Sequence, residues 1–370
     1  SESAQSTGPY QSTPTIAELD AQGRTLNTTR VTATETREAF GPGGVAVDIF
    51  FDGDNDATRP PGRDVYGYLD PDGSDFTRSS DFAFDDINVY ETYGGTANYS
   101  LNFDSGMTFT SITDFKHHEK FTTLDLEAGP ESQYTWFGEA EIESVTQEFR
   151  LSGETDSARW VAGYYYLNID ALSIAGLSAL ANSFSGFPAN FDQPRVSDLA
   201  TTSHSLFGQI EFDLSENLKL VTGIRATQES KDYIFDVHFV NNDNPKAWDV
   251  PAVDGYVHIE DSSDENIWTG KVQLDWQAND DVLLYAGFNR GVKAGSFNSG
   301  DDSLTAEQIA YDNEILHAFE LGFKSDLADG LVRFNGAIYY YDYKDYQAAR
   351  WTGLGNLITN NDSTVKGAEF

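Results

Sequence analysis

The chain has 370 residues, 23 of them Lys or Arg and 60 Asp or Glu, which gives a net charge of −37. That balance excludes nucleic acid as a partner, because phosphates need Lys and Arg, and it argues against the anionic cytoplasmic leaflet for the same reason. There is no Cys, so disulfides and thiolate metal sites are excluded, while an aromatic content of 14% is unlike a disordered acidic tail.

Residues 1–88 read as a loop-rich segment with one strand in residues 25–40. A Gly41-Pro42-Gly43-Gly44 turn and a solvated Asp/Gly/Pro stretch follow it. From Val89 a hairpin pattern begins and repeats to the end. Tyr93, Gly95, Ala97, Tyr99, Leu101 and Phe103 share one face, and Asp104-Ser105-Gly106 turns the chain into Met107, Phe109 and Phe115. After a loop reaching Glu139, Val145, Gln147, Phe149 and Leu151 pair with Val161, Gly163, Tyr165 and Leu167 across a polar turn. A longer loop over residues 171–199 leads to the clearest copy. There Leu206, Gly208, Ile210, Phe212 and Leu214 alternate with Phe207, Gln209, Glu211 and Asp213. The turn Ser215-Glu216-Asn217 then leads into Leu218, Leu220, Thr222, Ile224 and Ala226. A loop over residues 236–263 precedes Trp268, Val272, Leu274 and Trp276, which oppose Lys271 and Asp275. Asn279-Asp280-Asp281 turns that strand into residues 282–297, and one more hairpin and a last strand from Ser363 complete about eleven strands by period-2 reading.

Turns and loops alternate strictly in length. An apolar face opposite a charged face fits either a soluble sandwich or a membrane barrel with a wet lumen. The short-turn and long-loop asymmetry favours the barrel, with short turns at the periplasmic rim and long loops outside the cell. Lys271 and Asp275 need water, since a mid-bilayer Lys costs about 2–4 kcal/mol. The neighbouring Trp and Leu side chains gain roughly 1.5–3 kcal/mol each in any apolar phase. The fold class is therefore all-β, an antiparallel transmembrane β-barrel, with strands of about 9–20 residues that exceed those of soluble sheets. No run of 18 apolar residues is present, but barrels cross membranes by alternation instead.

Several stretches carry a family resemblance. They are Thr110-Ser111-Ile112-Thr113-Asp114-Phe115, Thr146-Gln147-Glu148-Phe149-Arg150-Leu151-Ser152, Thr222-Gly223-Ile224-Arg225, Leu284-Tyr285-Ala286-Gly287-Phe288-Asn289-Arg290-Gly291, Phe319-Glu320-Leu321-Gly322-Phe323-Lys324 and Val365-Lys366-Gly367-Ala368-Glu369. In order and spacing, residues 89–370 resemble the barrel of TonB-dependent outer-membrane receptors. The resemblance implies a barrel of about 22 strands with a plugged lumen. It also implies energy supplied by the TonB complex through a TonB box. Against that pattern the chain reads as an incomplete part of the barrel, with plug, TonB box and closing strands absent. Location in the bacterial outer membrane, contact with its lipid and uptake of a scarce nutrient follow as expectations. The ligand would be a siderophore, haem, cobalamin or glycan, with an iron–siderophore complex first. A passive porin-like channel and a secreted carbohydrate-binding β-protein are the alternatives.

Candidate site residues follow from chemistry. Loop aromatics suit flat chelates and sugar rings: Tyr134, Trp136, Phe184, Phe187, Trp248 and Trp351. Their ordinary role would be girdle or loop packing. Arg150, Arg225, Lys271, Lys324 and Arg333 are expected to point into the lumen beside Glu148, Glu211, Glu320 and Asp275. They would balance charge there or steer an anionic ligand. Asp52, Asp54 and Asp56 open like a Ca²⁺ loop, but Ala57 and Arg63 stand where such a loop needs Gly and Glu. They read as a solvated acidic loop first and a weak Ca²⁺ candidate second. His117 and His118 are adjacent and would face opposite ways on a strand. No catalytic motif is present, so neither an enzyme nor a cofactor is expected.

Overall fold

The computed structural model describes residues 88–125, 134–179, 191–241, 255–299, 305–328, 330–351 and 356–370, together with the backbone of four short strands before them. Those four are β1 (Thr15–Leu19), β2 (Thr25–Arg30), β3 (Glu35–Phe40) and β4 (Ala46–Phe51). They form two antiparallel pairs, β1 with β2 and β3 with β4. The single strand expected over residues 25–40 is thus two strands, each paired outside that span. In β4, Val47, Ile49, Phe50 and Phe51 have strong strand preference, a local signal hidden by the Gly- and Asp-rich sequence around it.

The main sheet begins with β5 (Val89–Asn102), β6 (Thr108–Asp125), β7 (Tyr134–Thr155), β8 (Ala158–Ala179), β9 (Phe191–Ser215) and β10 (Leu218–Val237). The short β11 (Val240–Asn241) adds to β9, and β12 (Val257–Asn279) and β13 (Val282–Lys293) follow. An excursion then carries β14 (Ser296–Phe297), the single-turn α1 (Ala306–Ile309) and β15 (Ala310–Tyr311). Last come β16 (Glu314–Leu327), β17 (Val332–Trp351) and β18 (Asn356–Glu369). Apart from β11, neighbours in the sheet are consecutive long strands, all antiparallel, running from β5 at one edge to β18 at the other. This is the up-and-down meander expected of a barrel, here an open sheet.

The strands are longer than the sequence suggests. β7 and β8 have 22 residues each, β9 has 25 and β12 has 23. Crossing a bilayer takes about 9–11, so each of these projects well beyond it. The loops expected up to Glu139 and over residues 171–199 and 236–263 contain strand in consequence: β6 runs to Asp125 and β7 starts at Tyr134, β8 runs to Ala179 and β9 starts at Phe191, and β12 starts at Val257. Their polar composition mimics loop because both faces of that part lie outside hydrocarbon.

The lower half, near the short turns, obeys one rule. By register, Phe149, Tyr164, Leu206, Ala226 and Trp268 form one row of the outer face, and Phe288, Phe319 and Tyr340 form another. These side chains are not sealed under a second layer: Ile224 is 64% exposed, Leu274 41% and Phe334 47%. That removes the soluble-sandwich alternative. On β12 the apolar face runs from Trp276 to Trp268, about 27 Å along the strand. At the usual tilt of roughly 35–45° this covers about 20 Å of bilayer, close to the apolar band of such barrels, with a Trp at each border.

The upper half reverses the rule. On β10 the apolar positions, Val221 and Ile234 apart, are even up to Ala226 and odd from Tyr233 to Val237, with no register shift between them. Tyr233, Phe235 and Val237 are buried on the inner side with Ile259, Phe297 and Ile309, and Leu199, Val257 and Leu357 pack around them. The outer side of the same stretch carries Asp232, Asp236, Glu260 and Asp264. Lipid outside has given way to water outside and protein within.

Candidate functional site

The inner face of the membrane section is polar. Register places Arg150, Arg225, Lys271, Lys324 and Arg333 on this face together with Glu148, Glu211, Glu320 and Asp275. They line one wall but do not converge. Arg150 pairs with Glu148 at 2.8 Å, and Arg333 pairs with Asp326 at 2.6 Å beside the turn before β17. Arg159 meets Glu211 at 2.7 Å, with Lys219 near the same carboxylate. Arg225 is held differently: its guanidinium carbon lies 5.2 Å from the Tyr165 ring centroid and 5.7 Å from that of Phe207. It also donates to Ser205 Oγ at 2.9 Å. The Phe207 ring crosses over Gly163, where an added Cβ would sit 2.5 Å from the ring edge. Only glycine permits that approach. Lys271 and Lys324 make no ion pair among the described residues.

A second inner group lies on β13, β16 and β17. Tyr285 donates to Glu320 at 2.5 Å, and Tyr339 packs against Tyr341 with centroids 4.9 Å apart. Sequence reasoning missed these tyrosines because it looked for aromatics in loops.

Above them the excursion of β14, α1 and β15 crosses the mouth. Phe297 stacks on Tyr233 with centroids 4.7 Å apart, and Tyr233 Oη donates to Asn298 O at 3.1 Å. Burial pushes the Tyr233 phenol up to about 12. Asn298 also receives the Ile358 N–H at 2.8 Å and donates to Gln308 O. Gln347 Nε2 donates to Ala294 O and Asp312 O, which clamps both ends of the excursion. In sheet order β10 and β18 are five strand spacings apart, about 24 Å if flat. One short excursion therefore ties together distant strands across a concave inner side.

Trp136 lies within β7, not in a loop, and its half-buried indole rests over Gly138, where an added Cβ would be 2.4 Å from the ring. The backbones of Tyr134 and Trp351 end β7 and β17 at the same rim. Phe184, Phe187 and Trp248 lie outside the described residues, as do Asp52, Asp54 and Asp56. His117 stacks on Tyr93 while His118 bonds Thr92, so the adjacent histidines do face opposite ways. Among the described residues no group of three His, Asp or Glu could hold a metal.

Residues 14–370 match the family described as TonB dependent receptor-like, beta-barrel, so the likeness begins well before Val89. No curated protein matches the chain in sequence. Among solved structures, the ferric yersiniabactin uptake receptor FyuA from Yersinia pestis is similar with 16% identity and a TM-score of 0.57, over 75% of this chain and 38% of that one. The siderophore receptor PiuA from Acinetobacter baumannii shares 14% identity at TM-score 0.54, over 75% and 43%. The copper transporter OprC shares 14% at TM-score 0.54, over 76% and 43%. The chain thus spans about two fifths of the length of these structures. Fold, lipid-facing band and family agree on the bacterial outer membrane as its location. The chain belongs to the TonB-dependent receptor β-barrel family.

Proposed function

We propose that this barrel serves TonB-energised import of a scarce nutrient, with an iron–siderophore complex as the ligand. The observation that carries the import reading is the polar inner wall beneath the tie that Phe297 and Asn298 make between β10 and β18, in a chain matched to this family over residues 14–370. The names of FyuA and PiuA support the choice of siderophore. Energy would come from TonB, acting through a plug and TonB box as the family resemblance implies. Arg150, Arg225 and Arg333, each held by a neighbour, balance lumen charge, while Lys271 and Lys324 draw an anionic ligand inward. Trp136 and the rim aromatics Tyr134 and Trp351 contact the ligand as it enters, along with Phe184, Phe187 and Trp248. The outer carboxylates repel free anions, which favours ligands whose charge iron has partly neutralised.

Uptake of radiolabelled ferric siderophores by iron-starved cells tests this. Deleting the gene should abolish uptake of one siderophore, and so should deleting TonB. Uptake that survives loss of TonB would instead make the protein a passive channel. Unchanged uptake of every siderophore in the gene deletion would remove iron and leave haem, cobalamin, copper or glycans to be tested in turn.

A further inference from the structure

The outer face divides into two sectors by charge. On β5 to β12 every strand Lys and Arg falls on the inner face by register: Lys116, Lys120, Arg150, Arg159, Arg195, Lys219, Arg225, Lys231 and Lys271. Above the apolar band the outer face of these strands is acidic, with Glu119, Glu139, Glu141, Glu143, Asp170, Asp198, Asp232 and Asp264. On β13 to β18 Lys293, Lys324 and Arg333 also face inward, but some cations come outward. Arg290 and Lys366 stand on the outer face at the upper border of the apolar band. The Arg290 guanidinium lies 4.1 Å from the centroid of Trp268 and donates to the Trp268 carbonyl. His317 faces Arg290 across the strands and stacks on Phe288. Asp342, the next residue in that row, is neutralised by Lys344, which also binds Asp362 at 3.0 Å.

One row below Arg290, and beside Lys366, whose strand partner Tyr340 lines it, is a shallow groove of about 540 Å³ in the lipid-facing wall. Val272, Ala286, Phe288, Phe319, Leu321 and Ile338 line it. The small Ala286 between larger neighbours makes the depression. Its position and apolarity suit an acyl chain lying along the strands.

We propose that this sector is a binding site for a phosphorylated, acylated lipid of the outer leaflet, with an acyl chain in the groove and phosphate on Arg290 and Lys366. Charge complementarity selects the occupant. In a chain of net charge −37, cations placed outward at the headgroup level need an anionic partner there, and they border an apolar groove that could seat its tail. Arg290 and Lys366 are three strand spacings apart and offset by two residues along the strands, about 16 Å in all, which favours a headgroup with two phosphates over one with a single phosphate. Trp268 fixes Arg290 in place, so little side-chain freedom is lost on binding.

Native mass spectrometry of the full-length protein, purified in detergent and offered diphosphoryl lipid A, reads the adduct directly. The wild type should retain the lipid. R290A/K366A should lose about tenfold of that retention, since charge-assisted phosphate contacts are involved. R290K/K366R should keep most of it. A286W fills the groove with both charges intact and should also weaken retention. The dephosphorylated lipid should not be held. Heat-dependent gel mobility confirms that each variant is folded. Equal retention by folded R290A/K366A would overturn the proposal. So would unchanged retention in A286W, or displacement of the lipid by inorganic phosphate alone, which would make the site a simple anion site.

Discussion

The lower and upper halves of the long strands use the same backbone ladder under opposite rules. Below, Ile224, Val272 and Leu274 face outward and stay exposed, and the inner wall carries Arg225 and Lys271. Above, Tyr233, Phe235 and Val237 turn inward and are buried, while Asp232 and Asp236 face out. The ladder between them is continuous, so no bulge causes the switch. The medium outside the strand changes from hydrocarbon to water, and the apolar phase of the sequence changes with it. A barrel strand of this length is two structures in series, one solvated by lipid and one folded around its own protein core.

The largest expected effect lies in the upper half. Phe235 is fully buried, and Phe235→Ala should cost about 3–5 kcal/mol. Urea unfolding in bilayers of two thicknesses should give the same loss, because protein and not lipid covers the ring. A loss that varied with bilayer thickness would break the comparison.

Next comes the lower half. Ile224→Arg puts a charge into the apolar band and should cost about 2–4 kcal/mol in folding into bilayers. Gln209→Arg on the inner face of the neighbouring strand should stay within about 0.5 kcal/mol. Similar costs for the two would mean that lipid does not cover the Ile224 face.

A smaller effect tests the tie across the mouth. Tyr233→Phe removes the contacts to Ser197 and Asn298 and should cost about 0.5–1.5 kcal/mol. The folded phenol titrates at about 12, above its ordinary value. Its contribution is therefore intact at neutral pH and is lost as pH rises from the ordinary tyrosine range through about 12. Alkaline unfolding followed by tryptophan fluorescence should be flatter in Tyr233→Phe.

The smallest effect concerns the acidic outer belt. Glu119 and Glu141 are direct cross-strand partners. Burial first, then Glu119 and Glu141, raises the Glu139 carboxyl above its usual range. A raised carboxyl favours the folded state while protonated, so this stability fades as pH climbs through the carboxylate range. Glu139→Gln should gain a few tenths of a kcal/mol at neutral pH after solvent screening. The gain in thermal midpoint should be larger at pH 7 than at pH 4.

Much of the lower half was legible in the residues themselves. The alternation from Leu206 to Leu214 and from Leu218 to Ala226 located two strands, their turn and their lipid face. Lys271, opposite Leu274 and Trp276, fell on the inner face for the same reason. The upper half was not legible as strand. Polar residues on its outer face and a shifted apolar phase on its inner face look like loop when read locally. The candidate site was harder still. Register puts the charges on the inner face, but nothing local indicates that Arg225 lies across Tyr165 and Phe207. Nor did spacing indicate that Phe297 would reach Tyr233, 64 positions earlier.

By itself the sequence determined the strand period, the turn positions and the face that meets lipid, because side chains on a strand alternate and transfer energies sort them by medium. Only the tertiary structure decided which distant strands the Phe297 and Asn298 excursion joins, and where Arg290 and Lys366 stand relative to the groove. Those relations depend on register across five or six strands, and no local pattern encodes a distance measured across the sheet.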